Sequence, residues 1–211
     1  MQTLKYLIED NMNNKIDKIL LHLHTTLTPF KDIREFSNNP GVYAVGFVGE
    51  SFPFPLDINI VMNGDIIYIG KTEKSQRSRD AHTHFKSGKT GSSTLRRSLG
   101  AILLQDLDLK PIPRSNTESK MRDYKFIEES EEKLTQWMIN NLSLSFYEIL
   151  DGKRLVRELE IPLIRKVSPI LNIQGNTSLN PYTTMLKELR SKCREIAKKK
   201  DYYNIYCKKS D

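Results

Sequence analysis

The residues that could do chemistry fall into two groups that are far apart in the sequence. The first group combines phenol, guanidinium and imidazole side chains: Tyr43, Tyr68, Arg77, Arg79, His82 and His84. The second is a carboxylate in a late amphipathic segment, Glu160. No Ser-His-Asp order, HExxH pattern or cluster of paired carboxylates is present. The residue types therefore favour a phosphate site beside a carboxylate over these other hydrolytic centres.

Glu160 is unusual because its helical spacing from Val156 places a carboxylate on the apolar face of the predicted helix. A buried unpaired charge is costly, so Glu160 needs a partner such as a metal ion or an arginine. An ordinary salt bridge is the simpler alternative. Glu158, on the other side of the same turn, is the second candidate. Pro162 predicts a helix that begins near 159–161, because proline is tolerated in the first turn.

A second anomaly is the pair Arg96 and Arg97 in the first turn of another predicted helix. Exposed N–H groups and the helix dipole favour negative charge there, so two arginines make sense if a phosphate binds at the same place. Two solvated arginines are the alternative. The side chains predicted to contact phosphate or DNA are Lys71, Arg77, Lys89, Ser93, Thr94, Arg96 and Arg97.

The positive charge is concentrated in two segments. Residues 71–122 carry 12 basic and 5 acidic residues, and residues 186–211 carry 9 and 4, within a chain of net charge +7. Clustered positive charge indicates a polyanion partner, since each neutralised phosphate releases counterions. Neither glycine-lysine-threonine triplet can be a Walker A loop, because the required first glycine falls on Asp65 or Thr83. We therefore expect no nucleotide cofactor.

The chain has no membrane-length apolar run, and its first residues contain acids where a secretory signal needs an apolar segment. Its cysteines, Cys193 and Cys207, match no zinc or disulfide pattern. These features predict a cytoplasmic protein that does not bind membranes.

Hydrophobic periodicity and turn residues predict one α+β domain around an antiparallel sheet. Predicted strands lie within 37–47, 58–70 and 142–150, and Asn63-Gly64 marks a turn within the second. Predicted helices cover 14–26, 93–104, 127–141, a segment ending before Pro169, and 186–200, with an exposed loop at 107–125. The predicted organisation is an N-terminal helical extension at 1–34, the domain at 35–175 and a basic helical tail at 176–211.

Five elements together resemble the GIY-YIG endonuclease superfamily in order and approximate spacing. They are "GVY" at 41–43, "YIG" at 68–70, Arg79 followed by "HF" at 84–85, Glu160, and Asn172 in "SPILN". The resemblance spans roughly residues 40–173. It implies a small three-stranded antiparallel sheet flanked by helices.

The resemblance also implies an activity, which is cleavage of phosphodiester bonds in DNA with a divalent cation, usually Mg²⁺ or another such as Mn²⁺. Glu160 would hold the ion, and double-stranded DNA would be the partner. A restriction or phage-defence enzyme fits this expectation, and double-strand cutting would favour a homodimer or sequential nicking. The alternative is a nucleic-acid-binding module that keeps the scaffold without cleaving.

The remaining roles are carried over from the resemblance to matching positions. Tyr43 or Tyr68 would orient or deprotonate the attacking water. Arg79 would stabilise charge on the phosphoryl oxygens, His84 would shuttle a proton or contact phosphate, and Asn172 would brace the site.

Two departures from the family pattern matter. The triplets are separated by residues 44–67, so "GESFPFPLD" is expected to be an inserted loop. The family arginine usually precedes the histidine by four positions, which here lands on Asp80. Arg79 lies five positions before His84 and Arg77 lies seven before it, so the identity of the arginine is open. One extra residue at the start of the helix would explain Arg79.

Overall fold

The computed structural model describes residues 2–53, 61–115, 123–176, 180 and 182–199. The predicted α+β class is confirmed, with helices on both faces of an antiparallel sheet. The predicted strand at 58–60, the inserted loop from 54 and the end of the basic tail lie outside the described residues. None of the helices in the described ranges combines the length and apolar character that a membrane crossing requires.

The main sheet has four strands, whereas three were predicted. The additional strand is the two-residue β1, which pairs with the last strand through Thr28 and Leu144. The strands are β1 Thr28–Pro29, β2 Gly41–Phe47, β3 Ile66–Thr72 and β6 Leu142–Glu148. Their spatial order is β1, β6, β2, β3, and every neighbouring pair is antiparallel.

A second, two-stranded sheet lies in the stretch that was predicted as a loop. It consists of β4 (Pro111–Pro113) and β5 (Tyr124–Phe126). The prediction was wrong because prolines indicated an irregular segment, although proline is tolerated in edge strands. The buried side chains of Tyr124 and Phe126 attach this sheet to the core.

Within the described residues, five α-helices flank the sheets. Their bounds are α1 Gln2–Thr25, α2 Thr94–Ile102, α3 Glu128–Asn141, α4 Lys153–Val167 and α5 Thr183–Lys198. Successive side chains of β2 point to opposite faces of the sheet, so the core is divided into two layers. Val42 and Ala44 pack against α1 and α4, whereas Tyr43, Val45 and Phe47 face the layer that contains α2 and α3. The central strand is therefore buried on both faces.

Helix α4 begins six to eight residues earlier than predicted, and Pro162 lies inside it. Proline removes the N–H that would bond to the carbonyl of Glu158, so the sequence favoured a later start. Val156, Leu159 and Leu163 are completely buried on one face of this helix. This apolar burial extends the helix through the first two turns despite the proline.

Helix α5 is part of the packed structure, since Leu186 and Cys193 are completely buried and the helix contacts α2 and β4. It begins at Thr183, slightly before the predicted residue 186. The domain boundaries at residues 34 and 175 stay predictions.

Candidate active site

Tyr43 and Tyr68 lie side by side on the inner face of the sheet. Tyr43 pairs with Gly70 across β2 and β3, and the two phenol rings have centroids 6.2 Å apart. A Cβ atom at Gly70 would lie 2.3 Å from Tyr43 Oη, so any larger residue would displace the ring. The glycine of "YIG" is therefore required by the tyrosine of "GVY".

A π-helix at Arg77–His84 resolves the spacing between the arginine and the histidine. The amide of Phe85 donates to the carbonyl of Asp80 at 2.9 Å, which is the five-residue bond of a π-helix. Residues five apart consequently share a face, and both Arg79 and His84 reach Tyr43. Tyr43 Oη lies 2.6 Å from His84 Nε2 and accepts a hydrogen bond from Arg79 Nε at 3.3 Å. Arg77 is exposed.

His84 is completely buried and held from two sides. Its Nδ1 lies 2.7 Å from Ser93 Oγ, and its backbone carbonyl accepts a hydrogen bond from Arg96 Nη1 at 3.1 Å. Burial lowers the pKa of His84 well below its ordinary value, and the positive charges of Arg79 and Arg96 lower it further. The imidazole is therefore neutral at neutral pH.

The two phenols are kept protonated by their surroundings. Burial raises the pKa of Tyr43 well above its usual value, and Tyr68 and Asp80 add to this while Arg79 opposes it. Burial also raises the pKa of Tyr68, again opposed by Arg79. Burial opposes the charged form of Arg79, but its neighbours Tyr43, Tyr68 and Asp80 outweigh that effect and raise its pKa. The site thus contains a permanent cation next to two neutral phenols.

Glu160 lines a small cavity of about 70 Å³ beside Tyr68, Thr94 and Asn172. Its Oε2 forms an ion pair with Lys71 Nζ at 3.0 Å, and both side chains are about one quarter exposed, Glu160 at 23% and Lys71 at 27%. The salt-bridge alternative is thus the arrangement that the structure contains, with Lys71 as the partner. Glu158 is half exposed and pairs with Arg154 at 2.7 Å, so Glu160 is the carboxylate at the cavity.

Asn172 holds the strand that carries Tyr68. Its Oδ1 accepts from the amide of Ile69 and its Nδ2 donates to the carbonyl of the same residue, both at 2.8 Å. Ile69 has its own cross-strand partner, Ala44, on β2. The side chain of Asn172 therefore extends the hydrogen bonding of β3 at the residue next to Tyr68.

The comparison with protein families identifies the fold. The family described as the GIY-YIG catalytic domain matches residues 41–192 of the chain. The protein belongs to the GIY-YIG family. Comparisons with curated proteins and with solved structures gave no match.

Within this GIY-YIG domain, the predicted phosphate role of Arg96 is contradicted by its burial. Arg96 has no exposed surface, and its Nη2 forms a 2.7 Å ion pair with Glu131 Oε2. Its Nε donates to Thr90 Oγ1 at 3.1 Å. Ser93 is likewise completely buried, where it caps α2 and contacts His84. The side chains of Ser93 and Arg96 both point into the core, whereas Thr94 and Arg97 in the same turn are partly exposed.

The other predicted phosphate contacts are distributed around the GIY-YIG site. Lys71 pairs with Glu160, and Thr94 lines the same cavity. Arg97 is mostly buried and pairs with Asp123 Oδ2 at 2.7 Å. Lys89 is partly exposed, and Arg77 is exposed.

Two buried acids were not predicted. Glu131 lies in the first turn of α3 with Glu128 and Glu129, and the sequence "EESEEK" gives no sign that it alone of these glutamates is buried. Asp80 is completely buried, and neither of its carboxylate oxygens forms a hydrogen bond of ordinary geometry within the described ranges. Burial raises the pKa of Asp80 well above its usual value, with Arg79 and then Gln76 opposing the shift. In the sequence, Asp80 is singled out only by its position four residues before His84, where the family pattern has its arginine.

Proposed function

We propose that this GIY-YIG protein is a divalent-metal-dependent endonuclease that hydrolyses phosphodiester bonds in DNA. The observation that supports this most is the contact of Arg79 and His84 with one phenol oxygen, that of Tyr43. Tyr68 links this group to the Glu160 cavity, because its ring lies 6.2 Å from that of Tyr43 and lines the cavity. The phenol of Tyr68 and the carboxylate of Glu160 thus line one small cavity, and Tyr43 and Arg79 are next to Tyr68.

The residues at the cavity fit a Mg²⁺ or Mn²⁺ ion that is bound partly by substrate. Among the described residues, no group of three or more His, Cys, Asp or Glu side chains gathers as a metal cage. Mg²⁺ typically keeps several waters and uses one or two carboxylates plus substrate phosphates, so a single carboxylate at Glu160 suffices. When bound, the ion would polarise the scissile phosphate and stabilise the leaving oxygen. Lys71 would then either leave the carboxylate of Glu160 or share it with the ion.

The other residues act on the substrate or position the side chains that do. Arg79 is a permanent cation with a planar fork of donors, which suits charge that develops on phosphoryl oxygens. Tyr68 lines the Glu160 cavity, which supports a role for it in orienting the attacking water. Tyr43 holds Arg79 and His84 together, and Asn172 keeps the strand of Tyr68 in position. Arg79 stays the preferred arginine over Arg77 on this proposal.

A basic surface beside α2 supports binding of the phosphate backbone of double-stranded DNA. Arg97 and Arg114 share the carboxylate of Asp123, at 2.7 and 3.5 Å, which leaves an excess of positive charge. Arg190 on α5 is close enough to Arg97 for the two charges to disfavour each other. The side chain of Arg114 also lies against Gly91, in the loop before α2. Like charges held together in this way are stabilised by a polyanion.

The experiment is incubation of supercoiled plasmid with the purified protein and Mg²⁺, Mn²⁺ or EDTA. Conversion to nicked or linear DNA with a divalent ion, and none with EDTA, is the expected result. Salt-sensitive DNA binding without cleavage in any ion would instead favour the non-cleaving module. Sequencing the ends from a digest of varied DNA then tests the restriction or phage-defence role, which predicts a recurring sequence at the cut. Double-strand cuts would point to a homodimer or to sequential nicking.

A further inference from the structure

Ser93 joins the start of α2 to the ring of His84. Its Oγ accepts a hydrogen bond from the amide of Arg96 at 3.1 Å and lies 2.7 Å from His84 Nδ1. The Ser93 side chain has no exposed surface. Within the described part of the chain, no other hydrogen-bond partner of Ser93 Oγ is present. Both contacts must therefore be satisfied by the one hydroxyl group.

The direction of these bonds follows from the donors that are available. A backbone N–H can only donate, so the contact with Arg96 uses a lone pair of Ser93 Oγ. If His84 Nδ1 carried the hydrogen, it would also donate to Ser93, and the hydroxyl hydrogen of Ser93 would be buried without an acceptor. If Ser93 donates to Nδ1, all three groups are satisfied. Buried polar groups are nearly always hydrogen-bonded, which selects the second arrangement.

We propose that Ser93 is a positioning residue that fixes His84 as the neutral tautomer with its hydrogen on Nε2, so that His84 donates to Tyr43 Oη. This arrangement agrees with the 2.6 Å distance between His84 Nε2 and Tyr43 Oη. The depressed pKa of His84 keeps the ring neutral, so one nitrogen alone carries a hydrogen.

The tautomer decides what His84 does to Tyr43. Tyr43 Oη then accepts hydrogen bonds from both His84 Nε2 and Arg79 Nε, and its own hydrogen is left for Tyr68, with which Tyr43 has a side-chain hydrogen-bond interaction. Two donors on one phenol oxygen polarise its O–H bond, which makes Tyr43 a stronger hydrogen-bond donor. With the opposite tautomer, Tyr43 would instead donate its hydrogen bond to His84 Nε2. This consequence for catalysis rests on the proposed function, whereas the assignment of the ring nitrogens does not.

The test is long-range ¹H–¹⁵N NMR of the His84 ring in the wild-type protein, Ser93→Ala, Ser93→Thr and Ser98→Ala. We expect a pyridine-type shift for Nδ1 and a pyrrole-type shift for Nε2 in the wild type. Ser93→Ala is expected to show a larger share of the Nδ1–H form, and Ser93→Thr to keep the wild-type pattern. Ser98→Ala is a matched control on α2, because Ser98 is also completely buried and its hydroxyl has no partner among the described residues.

Two spectral results would overturn the proposal. One is a protonated Nδ1 in the wild-type protein, which can be read even if Ser93→Ala does not fold. The other is a folded Ser93→Ala protein whose His84 shifts match those of Ser98→Ala. In plasmid nicking, Ser93→Ala is expected to lower kcat by roughly tenfold to 100-fold, the range for misplaced catalytic groups, with little change in KM. If the wild-type protein cuts no DNA, the proposed function fails while the NMR assignment is still decided.

Discussion

Removal of Arg96 should strongly destabilise the fold, because its side chain is completely buried. The guanidinium donates to Glu131 Oε2, Glu131 O, Thr90 Oγ1 and His84 O within the core. Arg96→Met leaves the carboxylate of Glu131 buried with only Thr90 and an amide as partners. Breaking a buried pair by removing one partner costs about 3–5 kcal/mol. For a chain of this size, that corresponds to a fall in Tm of roughly 6–20 °C.

A double-mutant cycle with Glu131→Leu isolates the pair. The double variant should lose much less stability than the sum of the single variants, because it leaves no unpaired charge. The assay is urea unfolding, with the free energy of unfolding compared across the four proteins. Arg154→Ala and Glu158→Ala form the control cycle, since that pair has the same 2.7 Å separation but is exposed and should show no measurable coupling. A loss below about 1 kcal/mol for Arg96→Met, as expected of a surface arginine, would refute the reasoning.

Three further predictions concern the centre of the site. Gly70→Ala should reduce DNA cleavage and lower stability by about 1–3 kcal/mol, because the new Cβ would lie 2.3 Å from Tyr43 Oη; urea unfolding at wild-type stability would contradict it. The pKa of His84 is depressed in the fold, so as the pH drops the unfolded chain binds a proton before the folded protein does. The free energy of unfolding should therefore fall below about pH 6.5. His84→Gln should remove this contribution to the pH dependence of unfolding. Burial raises the pKa of Asp80 in the fold, so its contribution to the free energy of unfolding should be full below about pH 3.9 and be lost as the pH rises through the folded pKa. Asp80→Asn should abolish this loss of stability. An unchanged dependence of the unfolding free energy on pH in Asp80→Asn would count against the prediction.

The sequence predicted the sheet and its tyrosines well because both depend on local patterns. The β-forming residues in "GVYAVGF" and "DIIYIG" indicate strands, and cross-strand pairing then brings Tyr43 beside Gly70. The extra residue before His84 was expected from the family pattern, in which the arginine precedes the histidine by four positions. The π-helix that accommodates it depends on tertiary contacts of Asp80 and His84, both completely buried, and no periodicity of the sequence indicates it.

The failures share a different cause, which is burial that overrides local preference. Arg96 at the start of a helix is typical of an anion site, but its partner Glu131 is 35 residues away in sequence. Pro162 favours a helix start, yet the apolar face of α4 extends the helix to Lys153. Lys71, whose phosphate contact stays a prediction, pairs with Glu160, 89 residues later, and this ion pair was not predicted. Long-range partners of this kind have no signature in a single sequence.

The most direct measurement of the central claim is plasmid cleavage by the wild-type protein and by two glutamate variants in Mg²⁺. Glu160→Gln removes the carboxylate at the cavity, whereas Glu158→Gln changes an exposed glutamate two residues away on the same helix. Folding of both variants is checked by urea unfolding. The account predicts cleavage by the wild-type protein and by Glu158→Gln, and loss of cleavage with retained DNA binding for Glu160→Gln. Undiminished cleavage by a folded Glu160→Gln protein would contradict it.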